Sequence, residues 1–154
     1  MNIASGNGID GVYSGVEKND KWFKAMKNLI TENARVTYIP EQAYIDLRCD
    51  GFFSYEAVVD TTEHAYEMLR FYNLRKCVIN LQQVKIYPSG AEEYLRDIWY
   101  RKLVEAGVSK IAFVVPENIF GKSSMTVVHA GEAAQKIERQ YFADESSAVE
   151  WLNA

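Results

Sequence analysis

The sequence predicts an α/β domain, a mixed and mostly parallel central sheet flanked by helices, in the order β-β-α-β-α-β-α-β-α behind an N-terminal helix. Three observations carry this expectation. Short runs at 36–38, 44–49, 76–81, 111–115 and 140–142 are apolar or alternate in strand fashion. Between them lie longer stretches whose apolar residues recur at intervals of three and four, the spacing of one helix face. Strands separated by helices must then run parallel, joined by right-handed crossovers. The 154 residues, 48% hydrophobic and 25% charged, suit one packed domain. Two independent cores would each be near the lower size limit.

Each element has its own local reason. Four glycines, Gly6, Gly8, Gly11 and Gly15, make the first stretch costly to order, so a mobile or partner-bound arm is expected there. Asn19 or Asp20 caps a helix expected to run to about Ala34, with Trp22, Phe23, Met26, Leu29 and Ile30 on one face and Lys18, Lys21, Lys24 and Lys27 on the rest. That face packs on the domain or meets a second copy or partner. Residues 1–34 are thus an arm and amphipathic helix, and 35–154 the α/β domain. Val36 and Tyr38, then Tyr44, Ile45, Leu47 and Cys49, form a hairpin around Pro40-Glu41-Gln42. Asp50-Gly51 ends its second strand. Ser54 caps a helix whose stripe is Ala57, Val58, Thr61, Ala65, Met68, Leu69 and Tyr72.

After the buried strand at 76–81, Ser89-Gly90 opens a helix with Ala91, Leu95, Ile98, Trp99 and Leu103 inward. Glu92 to Arg96 and Asp97 to Arg101 are spaced as i,i+4 ion pairs, and Gly107 stops the helix. The apolar strand at 111–115 ends at Pro116. Ser123 or Ser124 caps a third helix through Val128, Ala134 and Ile137. A last strand at 140–142 leads to a terminal helix capped by Asp144, with Ala148, Trp151 and Leu152 inward.

Charge and motifs exclude more than they assign. With 17 Lys+Arg against 21 Asp+Glu the formal charge is −4, which gives no electrostatic ground for nucleic-acid binding. The N-terminus, Met1-Asn2-Ile3-Ala4-Ser5-Gly6-Asn7-Gly8, has neither a basic start nor an apolar core of a secretory signal. The longest apolar run, at 111–115, is far short of the roughly 20 residues a membrane helix needs. A cytoplasmic protein with no membrane span is the expectation, and Cys49 and Cys77, not spaced as a metal pair, are expected as reduced buried thiols.

Gly121-Lys122-Ser123 follows an apolar strand as a phosphate loop would, but the position that motif gives to its first glycine is Pro116, which has no N–H to offer phosphate. The simpler account is a turn, a solvated lysine and a helix cap. His64 and His129 lack ligand spacing, no exposed nucleophile motif is present, and Glu92 and Glu93 point to different helix faces. No metal, no cofactor and no catalytic set follows, and the chain is read as not an enzyme. Pro88-Ser89-Gly90 is left, a hydroxyl between a strand's exit loop and a helix's first turn, explained as an N-cap yet well placed to carry a phosphate at a positive helix end.

Three stretches resemble the STAS domain of anti-sigma factor antagonists, in a bacterial STAS-like branch described together with CRAL-TRIO-type lipid-binding folds. Val78-Ile79-Asn80-Leu81 is similar to the family's central strand, Pro88-Ser89-Gly90 to its Asp-Ser-Ser/Thr-Gly loop, and Tyr141-Phe142-Ala143-Asp144 with Ala148-Val149-Glu150-Trp151-Leu152 to its closing strand and helix. The likeness covers about 35–154. It implies the fold above and makes Ser89, just before Gly90, the counterpart of the family's phosphorylated hydroxyl. The family's loop aspartate has no counterpart, since Tyr87 and Pro88 occupy that region.

The reading that follows is a non-enzymatic, cytoplasmic STAS-like module that acts by protein contact, with a protein partner or a second copy of itself. Its contact surface is expected at the loop from Gln82 to Gly90 and the first helix, with Asn80 and Ser89 as polar anchors and Tyr87 as the apolar one. The alternative is a carrier of a small apolar ligand or lipid in a cavity between sheet and helices, prompted by the 13% aromatic content.

Overall fold

A computed structural model describes residues 27–52, 54–86, 88–116 and 132–154. Among them six strands form one sheet in sequence order: β1 (Leu29–Ile30), β2 (Ala34–Ile39), β3 (Tyr44–Phe52), β4 (Lys76–Ile86), β5 (Lys110–Val114) and β6 (Glu138–Phe142). β1, β2 and β3 pair antiparallel, and β3 through β6 are parallel. The mixed, mostly parallel α/β sheet expected from the sequence is the one observed.

Residues alternate between two apolar faces, as a sheet covered on both sides requires. Ile45, Leu47, Cys77, Ile79, Ile111 and Phe113 face α1 (Tyr55–Phe71), α2 (Ala91–Tyr94) and α3 (Tyr100–Glu105). Tyr44, Val78, Ala112 and Val114 face α4 (Glu145–Leu152), which contributes Ala148 and Leu152. Cys49 and Cys77 are free and buried as expected, and burial pushes the Cys49 thiol up to about 12 and Cys77 upward as well.

The expected caps form where local chemistry demands them. Ser54 Oγ accepts from Ala57 N at 3.1 Å, and Asp144 Oδ1 accepts from Ser147 N at 2.8 Å. At Gly107, φ is +92°, Gly107 N donates to Val104 O and Val108 N to Leu103 O, both at 3.0 Å. That pair of bonds is a Schellman stop, which satisfies carbonyls the helix would leave open. α1 ends the same way, with Asn73 at φ +56° in the glycine position.

Several boundaries differ from the sequence expectation. Residues 1–26, with the expected arm and most of its helix, lie outside the described residues, as do Trp22, Gly121-Lys122-Ser123, His129 and Val128. The expected helix does not reach Ala34, because Leu29 and Ile30 pair with Val36 and Arg35 as an edge strand and Ala34 opens β2. β3 passes Asp50-Gly51 to Phe52 by means of bulges, and β4 runs on with it through Ile86. Gln82 to Ile86 is therefore strand and not loop. Between α2 and α3 lies a π-helical turn, Leu95–Trp99. Within it Arg96 grips its neighbour Asp97 through Nε–Oδ1 at 2.7 Å and Nη2–Oδ2 at 2.8 Å, and Arg101 also holds the Asp97 carboxyl down as its i,i+4 spacing led one to expect. Ala134–Lys136 is a 3₁₀ turn, and Ile137 is already extended, so the third helix does not include it.

Candidate functional site

Parallel strands deliver their carboxyl ends to one rim of the sheet, the usual place for ligands and partners in open α/β folds. Here the rim carries Phe52 at the end of β3, Ser54 and Tyr55 at the start of α1, and Pro88-Ser89-Gly90 between β4 and α2. Phe52 is 69% exposed and Tyr55 37%.

The Pro88-Ser89-Gly90 segment is a tight turn. Ala91 N donates to Pro88 O at 3.1 Å, and Gly90 has φ +85° and ψ −11°, the values of the third residue of a type II turn. Gly90 is consequently the residue at the cap position of α2, with no side-chain cap, and Ser89 precedes it with an exposed side chain. The N-cap role expected of Ser89 is not its role. A methyl group at Gly90 would meet the Tyr55 ring at 3.4 Å, so the turn sits directly on that aromatic.

Behind the rim the aromatics are fixed through their polar ends. Tyr55 meets Tyr94 edge-on at 6.1 Å between centroids. The Tyr94 hydroxyl and Thr62 Oγ1 lie 2.9 Å apart, Thr62 Oγ1 donates to Val58 O at 2.8 Å, and Trp99 Nε1 donates to Thr62 O at 3.0 Å. Trp99, 3% exposed, is a core residue. His64 is half-buried, with Nε2 2.8 Å from Lys27 O.

On the opposite face lies a buried polar group. Asn80, 2% exposed, donates from Nδ2 to Glu145 Oε1 at 3.3 Å and accepts from Gln82 N at 3.0 Å. Gln82 Nε2 in turn donates to Ala143 O at 2.7 Å, tying β4 to the start of α4. Asp46 shares this face, and its Oδ1 is buried with no partner. Burial first, then the hydrogen bond and charge of Glu145, push the Asp46 carboxyl up to about 7, against a smaller opposing pull from Arg48 and Arg35.

Of the residues expected at the site, Ser89 and Gly90 stand together on the rim, Asn80 is interior and serves α4, and Tyr87 lies outside the described residues. Among the described residues no group of three or more His, Cys, Asp or Glu could hold a metal ion, and no helix is long and apolar enough to cross a membrane. Sequence patterning does not single out Phe52 or the Asp46–Glu145 pair. The signal for Asp46 is its alternation with Arg48 and Asp50 against Ile45, Leu47 and Cys49, which places a charged row on a covered face.

No protein-family model matches the chain, and no curated protein matches it. Among solved structures it is similar to an uncharacterised protein of the DUF3478 family with a SpoIIAA-like fold, from Shewanella loihica PV-4. The two align with a TM-score of 0.51 at 12% identity, over 80% of this chain and 99% of that one. The STAS-like fold expected from the sequence is thus the fold of the chain.

Proposed function

We propose that this chain is a non-enzymatic STAS-type regulatory module that binds a protein partner through the rim made by Phe52, Tyr55 and the Pro88-Ser89-Gly90 turn. The observation that carries the reading is the exposure of Phe52 at 69%, three residues before Tyr55, whose ring lies against the turn at Gly90. Such aromatics cost little side-chain entropy when they are buried by a partner, and they dominate binding energy where they occur at interfaces. The tight turn and the Tyr55–Tyr94–Thr62 chain hold this surface in one shape before any partner arrives, which lowers the ordering cost of association. The SpoIIAA-like fold supports the same class of function by analogy.

Ser89 gives the surface a means of control. Its exposed hydroxyl sits on the turn that rests on Tyr55, so a phosphate there would add a charge of about −2 to an otherwise apolar contact patch. Partner release on phosphorylation is the expected sense, because a dianion is costly to bury against aromatic rings.

The test is affinity capture from the native host's extract followed by reconstitution with the purified candidate. Phe52→Asp is expected to weaken binding by about 2 kcal/mol or more, which is the scale of a central hot-spot residue. Ser89→Asp should weaken it and Ser89→Ala should not. Equal binding by wild type and Phe52→Asp would remove the rim from the account. Native mass spectrometry of the same preparation distinguishes the carrier alternative, since a co-purified lipid or other small apolar molecule would count against a protein-binding module.

A further inference from the structure

We infer that the pocket between the β1–β2 turn and α1 binds an ammonium group carried on a short apolar stem. The pocket has a volume of about 360 Å³, at the small end of the range for ligand sites. Its floor is apolar, made by Leu29 of β1, Ala34 of β2 and Ala57 of α1. Three acceptors stand over that floor, the Thr61 hydroxyl and the carboxylates of Glu32 and Asp60.

Thr61 points to a guest. It is 5% exposed, and among the described residues no hydrogen bond reaches its hydroxyl. Its neighbour Thr62 is equally interior, yet Thr62 Oγ1 donates to Val58 O at 2.8 Å and lies 2.9 Å from the Tyr94 hydroxyl. A helical threonine ordinarily returns its hydroxyl to a carbonyl one turn back in this way, and buried polar groups are ordinarily paired. The Thr61 hydroxyl faces the pocket it lines and is open to an N–H from whatever enters.

The other polar groups divide into those already committed and those that are not. Thr31 Oγ1 accepts from Ala34 N at 3.0 Å and donates to Ala34 O at 3.3 Å, and Asn33 Nδ2 donates to Asp50 O at 3.2 Å, so these two shape the wall. His64 Nε2 lies 2.8 Å from Lys27 O, and since a carbonyl only accepts, that nitrogen carries its proton. Glu32 and Asp60 are exposed, and among the described residues neither is held in an ion pair. No lysine or arginine lines the pocket. Acceptors and negative charges without a cation select a positive guest that only donates, and an ammonium is such a group. The apolar floor takes up the methylenes behind it. An anion would meet the two carboxylates, and a neutral apolar guest would leave the Thr61 hydroxyl unpaired.

NMR titration of the full chain with n-butylammonium chloride, against sodium chloride at equal ionic strength, tests the site. Saturable shifts are expected at 31–34 and 57–64. The alcohol n-butanol, the same stem without the charge, should produce none. Thr61→Val keeps the shape and removes the hydroxyl, and it should weaken binding about tenfold, the scale of a hydrogen bond to a charged group. Asp60→Asn should weaken it too and flatten its dependence on salt. The same titration with N-acetyl-lysine N-methylamide identifies the source. Saturation at these residues assigns the group to a lysine of a polypeptide, saturation by n-butylammonium alone assigns it to a free amine, and both support the site. Absence of saturable shifts with either probe, or equal affinity in wild type and Thr61→Val, would overturn it. Should Thr61→Val not fold, Asp60→Asn, at an exposed position, carries the same comparison.

Discussion

Gly90 and Gly107 have left-handed backbone conformations, but the two residues do different work. Gly107, at φ +92°, closes a Schellman stop, and a methyl group there would meet nothing within 4 Å. The whole cost of Gly107→Ala is consequently backbone strain, about 1–2 kcal/mol for an L-residue in that region. Urea unfolding is expected to show a loss of that size with an unchanged slope on denaturant. At Gly90, at φ +85°, the same substitution strains the chain likewise, and its methyl group would rest against the Tyr55 ring at 3.4 Å in ordinary contact. Residue chemistry of this kind is what sequence shows best. Ser54, Asp144 and Gly107 each act within four residues of themselves, and each was identifiable from its immediate neighbours.

At the scale of elements, the face of the sheet that α4 covers carries a carboxyl on β3 whose hold on a proton changes on folding. The Asp46 carboxyl rises from an ordinary 3.8 to about 7 in the folded chain, so the folded state binds the proton more tightly than the unfolded state. The stabilisation is fully present below the ordinary value and is lost as pH climbs through the window from about 4 to about 7. Wild-type stability is expected to decline across that window by on the order of 1 kcal/mol more than that of Asp46→Asn, measured by urea midpoints at a series of pH values.

Element ends set by distant pairing were not legible in sequence. β4 runs to Ile86 because β3 runs to Phe52 beside it, and Leu29 and Ile30 are a strand because β2 offers them an edge, although their spacing also fits a helix face. At the π turn Leu95–Trp99, Arg96 likewise bonds its neighbour Asp97, a pairing that i,i+4 spacing does not indicate, while Arg101 still acts favourably on Asp97. In the candidate site, Ser89 and Gly90 stood out through local turn chemistry. Phe52 and the Asp46–Glu145 contact did not, since exposure and long-range contact exist only once the sheet has formed.

For the molecule as a whole, the fold separates two tasks. One face of the sheet holds α1, α2 and α3 in a large apolar core, and the carboxyl-end rim above it presents Phe52, Tyr55 and Ser89. The other face carries α4 over a smaller apolar cluster and the Asp46–Glu145–Asn80 group. The proposed partner surface at the rim and the Asp46–Glu145–Asn80 group are thus separate features of the fold. The central claim concerns the rim, and site-specific photo-cross-linking addresses it most directly. A benzophenone amino acid in place of Phe52 is compared with the same probe in place of Ile98, which is also exposed, at 49%, but lies in the π turn between α2 and α3. The account predicts a covalent adduct to one protein partner from position 52 and none from position 98. Absence of an adduct at 52, or equal adducts at both positions, would contradict it.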